Sequence, residues 1–110
     1  MFDMVNAVEK GAQWNEFFVE VVDETLKQIF GYDGTMVIYD FLEKQSNVKL
    51  KDVANKPEVF SASLERLMDS AAQVIEQIIL KNLYSGLGLE FEEKQGYEFA
   101  DYIMELKGNG

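Results

Sequence analysis

Large apolar side chains recur every three or four residues along most of the chain, the spacing that lines one face of an α-helix. The repeat is cleanest over Trp14, Phe17, Phe18, Val21, Val22, Leu26, Ile29 and Phe30, with Glu16, Glu20, Asp23, Glu24 and Lys27 on the opposite side. It predicts an amphipathic helix with Asn15 as N-cap and Gly31 just past its end. Ahead of it, Phe2, Val5 and Val8 sit three apart before Gly11. Residues 1–13 therefore read as an N-terminal arm, a short helix, or the first turns of one long helix with Gly11 inside.

Beyond Gly31, Asp33-Gly34-Thr35 has the residue types of a turn and a new helix cap. The helix expected after it, through Met36, Val37, Ile38, Tyr39, Phe41 and Leu42, is apolar nearly all round and should be deeply buried, ending at Ser46-Asn47. Val48, Leu50, Val53 and Ala54 predict a short helix or turn, and Pro57 suits the first position of the next helix. There Phe60, Leu64, Leu67 and Met68 form a stripe while Glu58, Glu65 and Arg66 face away. Asp69-Ser70 marks a break and a fresh N-cap.

The following helix carries Ala71, Val74, Ile75, Ile78, Ile79, Leu83 and Leu87, with Gly86 and Gly88 bracketing its end. Its wide band makes it the expected centre of the fold, with Ile78 in the tight core. Leu89-Glu90-Phe91-Glu92 alternates with period two, an extended stretch without a partner strand. Gly96 opens a last helix with Phe99, Ala100, Ile103 and Leu106 inward, and Gly108-Asn109-Gly110 reads as a loose tail. The fold class expected is all-α: a compact single-domain bundle of five or six helices, its helical domain over residues 14–107, with one short extended segment near residues 89–92.

Composition changes this picture mainly through what it lacks. The 110 residues include no histidine and no cysteine. That removes the commonest metal ligand and general base, and the strongest nucleophile. Twenty acidic against ten basic residues give a formal net charge of -10, which repels nucleic acid and anionic lipid. The helix-turn-helix-like arrangement of Leu50–Ala54 and Phe60–Leu67 fails on the same ground, because Arg66 stands among Glu58, Glu65 and Asp69. No apolar run approaches the ~18 residues of a membrane span. The start, Met1-Phe2-Asp3-Met4, has an acid where a signal peptide carries bases. The expected setting is cytoplasmic.

Candidate chemistry is sparse. Glu16, Glu20 and Glu24 are spaced i, i+4 and form either a solvated face or a metal-binding ridge. Glu90, Glu92 and Glu93 present the same choice for a hard cation, without the ligand spacing of a calcium loop. Gly86-Leu87-Gly88 lacks the third glycine of a dinucleotide loop and follows a helix, so it reads as a helix stop. Tyr32, Tyr39, Tyr84, Tyr97 and Tyr102, with Trp14, either line an apolar pocket or sit at the core boundary with wet hydroxyls. No catalytic, cofactor-binding or metal-ligating residue is assigned, and no cofactor is expected.

Three runs carry a family resemblance: Ala62-Ser63-Leu64-Glu65-Arg66-Leu67, Val74 to Tyr84, and Gly88-Leu89-Glu90-Phe91, with Ile38 to Lys44 upstream. Together they resemble a small archaeal all-helical family of uncharacterised proteins, described in some chains as the Nitrosopumilus output domain. The resemblance spans residues 16 to 107. It implies a role in signal response or protein interaction, and no catalytic residues.

Two readings follow. The first is a non-enzymatic interaction or regulatory module, self-associating as a homodimer, because helices this apolar, with Phe2, Met4, Val5 and Trp14 besides, leave a surface that another chain covers. The alternative is a small-molecule sensor or carrier with an aromatic-lined pocket between helices. A carboxylate-based enzyme ranks third and requires two acids facing each other away from bulk water.

Overall fold

The apolar periodicity is realised as helices packed around one core. The structure, a computed structural model, describes the backbone of residues 2–109 and the side chains of residues 13–108. Helix α1 spans Phe2–Ser46, a 3₁₀ turn Leu50–Asn55, α2 Pro57–Met68, α3 Ala71–Gly86 and α4 Phe99–Asn109. There is no strand among the described residues. The all-α bundle is therefore as the sequence predicts. Gly11 lies inside α1, the third of the arrangements open for residues 1–13. The side chains of Phe2, Met4, Val5 and Val8 lie outside the described residues.

Helix α1 is not straight. Gly31 interrupts it with φ 76° and ψ 178°, a combination open essentially to glycine alone. A continuous 45-residue helix would measure about 67 Å, whereas the longest dimension of the molecule is 45 Å. The two halves fold toward each other: Tyr39 donates its hydroxyl proton to Asp23 Oδ1 at 2.6 Å, although sixteen residues of straight helix would hold them about 24 Å apart. The break falls on the glycine that the sequence marks as a helix end, but Asp33-Gly34-Thr35 is not a turn. The helix resumes directly, and Thr35, fully buried, donates its hydroxyl to the Gly31 carbonyl at 2.7 Å instead of capping an N–H. Asn15 is likewise no cap. It lies within α1, and its side-chain oxygen is buried without a hydrogen-bond partner, as is Trp14 Nε1.

Phe18, Val22, Leu26, Ile38 and Leu42 from the two halves of α1 meet Phe60 and Leu64 of α2, Ile75, Ile79 and Leu83 of α3, and Phe99 and Ile103 of α4 in one core. Two expectations about faces are corrected. Val37, placed in an all-apolar buried helix, is 64% exposed. The buried face of α3 is turned from the expected stripe: Val74 is exposed and Ile78 only half-buried, while Ala72, Glu76, Leu80 and Tyr84 face inward. The apolar band of α3 is wider than the face its neighbours cover, so sequence alone leaves the rotation open.

Local chemistry explains the ends. Pro57 takes the first turn of α2, where its missing N–H costs nothing. Asp69 at the α2–α3 junction has φ 52°, and Ser70 in the N-cap position makes no side-chain cap bond. Helix α3 closes in a Schellman arrangement: Leu89 N–H bonds to Tyr84 O at 2.8 Å and Gly88 N–H to Ser85 O at 3.0 Å, with Gly88 at φ 74°. Residues 89–92 are loop, not strand; the alternation reflects Phe91 turned inward against Tyr84 and Tyr102 while Leu89 is exposed. Helix α4 begins at Phe99, not at Gly96, with the Asp101 carboxylate accepting the Glu98 N–H at 2.8 Å, one half of a capping box. It continues through Gly108 and Asn109, so the tail is shorter than the glycines suggest.

Candidate functional site

A cleft of about 470 Å³ is formed by α2, α3, the loop 87–98 and the start of α4. Helical spacing builds two facing walls. On α2, Glu58, Ser61, Ala62 and Glu65 fall at i, i+3, i+4 and i+7; on α3, Gln73, Glu76, Gln77 and Leu80 do the same. Phe91, Glu93, Lys94, Tyr97 and Glu98 of the loop and Phe99, Ala100 and Tyr102 of α4 complete it. The loop is fastened to α4 at its middle: Lys94 N–H bonds to the Tyr102 hydroxyl at 2.7 Å, and the Lys94 ammonium pairs with Glu105. Tyr97 donates to the other Glu105 oxygen at 2.6 Å. The ammonium of Lys94 also stands 5.1 Å from the Tyr97 ring centre. The hydrogen bond to Glu105 raises the Lys94 ammonium and Tyr97 phenol pKa values, while Lys94 and Tyr97 hold Glu105 below the usual carboxylate range.

Glu76 sets the electrostatics of the cleft. It is 7% exposed, and Ser61 donates its hydroxyl to Oε2. Burial, the largest cause, raises its pKa; the Ser61 hydrogen bond acts the other way, and the charges of Glu65 and Glu98 add to the rise. The ion pairs among the described residues are Lys27–Asp23, Lys44–Asp40 and Lys94–Glu105, so Glu76 has no cationic partner in them. Of the five carboxylates around the cleft, only Glu76 is buried. The arrangement of two acids facing each other away from bulk water, which acid–base catalysis would need, is not what the cleft presents.

The structure separates the sequence candidates. Of the tyrosines, Tyr97 and Tyr102 line the cleft and Tyr84 packs on Phe91 beside it. Tyr39 is tied to Asp23, Tyr32 is 65% exposed, and Trp14 packs on Phe17 and Phe18 at a different part of the bundle. Burial and the Asp23 hydrogen bond drive the Tyr39 phenol pKa far up; burial likewise raises that of Tyr84. Of the acidic run, Glu93 borders the cleft and accepts a hydrogen bond from Gln77, whereas Glu90 and Glu92 point to solvent. Glu16 is exposed, and Glu20 and Glu24 edge a smaller depression between α1 and α3. No group of three acidic side chains among the described residues converges as a metal ion requires. Sequence reasoning missed Glu76, whose signal lay in its place: it is the one acid inside the apolar band of α3.

A second feature lies at the break in α1. Ile29, Phe30, Tyr32 and Val37 are 40, 38, 65 and 64% exposed within nine residues of chain around Gly31. Nearby, Lys27 pairs with Asp23 at 2.8 Å and stands 5.5 Å from the Tyr32 ring centre, while the exposed Asp33 makes none of the ion pairs among the described residues. Among the described residues, no helix is long and apolar enough to cross a membrane. Comparison of the chain with family models, curated proteins and solved structures finds no match.

Proposed function

We propose that this protein is a non-enzymatic interaction module that pairs with a second copy of itself through the corner at Gly31. The observation that carries the reading is the cluster of Ile29, Phe30, Tyr32 and Val37 on one bend of α1, each more than a third exposed. Large apolar side chains scattered singly over a surface are ordinary, whereas four within nine residues around one bend are the composition of an interface centre. The corner is held by the Thr35–Gly31 hydrogen bond, so little ordering is lost on pairing.

A second copy suits this corner because two acidic chains associate most readily where each offers a mainly apolar face, and Asp33 is the one carboxylate between Ile29 and Val37. Twofold pairing is the commonest closed way to cover such a face. A standard interface covers about 800 Å² per partner, so the contact extends from the corner onto neighbouring surface of α1. The absence of histidine and cysteine supports a role in binding rather than turnover. A signal-response role, which the resemblance of residues 16–107 implies, is the regulatory form of the same reading.

Light scattering tests it. Association predicts a mass of twice the 12.6 kDa chain at micromolar concentration. A mass of one chain that persists to the highest soluble concentration overturns the reading.

A further inference from the structure

The cleft between α2, α3 and α4 carries an inference independent of the corner. We propose that it binds a small aliphatic polyamine, with one ammonium group donating to Glu76 Oε1 and others reaching the carboxylates at its rim. A buried carboxylate is costly unless a cation or several hydrogen bonds compensate it. Glu76 has one hydrogen bond, from Ser61 to Oε2. Its Oε1 accepts none from the described residues, and it is not among their polar atoms sealed from solvent without a partner. The unpartnered oxygen of a side chain more than nine-tenths buried therefore opens into the cleft.

The form of the cation follows from geometry. Glu58 and Glu65 lie seven residues apart on α2, about 10.5 Å along the helix, with Glu76 facing Ser61 between them. Carboxylates strung out in this way do not converge on a point, so one metal ion would satisfy few of them. A chain of ammonium groups separated by methylenes meets several. Its methylenes have Phe91, Phe99 and the Tyr97 ring to lie against, surfaces that also attract cations. The volume, about 470 Å³, falls in the range of small-ligand sites. Lys94, the one base lining the cleft, is engaged by Glu105.

Isothermal titration calorimetry with spermidine tests the assignment, with magnesium chloride at matched ionic strength and a blocked tetralysine peptide as comparators. One spermidine should bind per chain, more tightly than magnesium. Glu76→Gln keeps the shape and should weaken binding by about tenfold or more, as loss of a buried charged acceptor does. Glu90→Gln makes the same change of net charge outside the cleft and should alter affinity by less than about twofold. The double variant Glu65→Gln/Glu98→Gln touches only exposed side chains and should weaken binding even if Glu76→Gln failed to fold. Equal effects of Glu76→Gln and Glu90→Gln, spermidine no tighter than magnesium, or tetralysine preferred about tenfold over spermidine would each overturn the proposal. Neither the mass of the protein nor the Gly31 corner enters these outcomes.

Discussion

Glu76 and Asp23 are two carboxylates whose surroundings push them in opposite directions. Burial, reinforced by Glu65 and Glu98, lifts Glu76 above its ordinary value of 4.5 in the folded chain despite the Ser61 hydrogen bond. A folded-state value above the unfolded one means that the fold holds the proton more tightly. The contribution of Glu76 to stability is thus fully present below pH 4.5 and lost as pH rises through the raised value. Glu76→Gln, which cannot ionise, should raise the melting temperature at pH 7 and leave it nearly unchanged at about pH 4; equal shifts at both would contradict the account of this site.

For Asp23, burial works upward, but the hydrogen bonds from Lys27 and Tyr39 outweigh it and the net shift is downward. Its contribution is present above the ordinary value of 3.8 and is lost as pH falls through the lowered one. Tyr39→Phe removes the bond that ties the two halves of α1 together and should cost about 0.5–1.5 kcal/mol at neutral pH, read from urea unfolding.

At the scale of elements, Gly31 is the decisive residue. With φ 76° and ψ 178° it holds a conformation closed to residues with a Cβ, and Gly31→Ala should destabilise the fold by about 1–3 kcal/mol. A stability unchanged by that substitution would mean that the bend does not depend on glycine. The helices themselves were legible, because Phe18, Val22 and Leu26, or Phe99, Ile103 and Leu106, leave little doubt about period or inward face. The rotation of α3 was not. Its Val74–Ile78 edge and its Leu80–Tyr84 edge are both apolar, and only the packing of α1, α2 and α4 against α3 decides between them. Substitutions should report that choice: Ile79→Ala, at a fully buried position, should cost about 2–5 kcal/mol, and Ile78→Ala, half-buried, clearly less. The turn expected at Asp33–Thr35 failed for a related reason. Its residue types favour turns locally, but one glycine two positions earlier already supplies the change of direction, and Thr35 is consumed in bracing it. The cleft was only half visible: its aromatic content showed in the tyrosines, whereas the pairing of the α2 and α3 stripes is a tertiary fact that no single helix records.

For the whole molecule, the balance lies between an acidic surface and the apolar residues left on it. A net charge of -10 disfavours close approach of two copies except where the surface carries no net charge. The Gly31 corner comes near that condition, with Lys27 neutralised by Asp23 and Asp33 the charge left beside Tyr32. Because the repulsion is screened by salt while apolar burial is not, association should strengthen as ionic strength rises from about 0.05 to 0.5 M.

The most direct test is sedimentation equilibrium of the protein beside two single-residue variants, Val37→Lys at the corner and Met104→Lys on α4, which change equally exposed apolar positions. Pairing through the corner predicts that the parent and Met104→Lys sediment as two chains and Val37→Lys as one. A parent that sediments as a single chain, or two variants that behave alike, would contradict it.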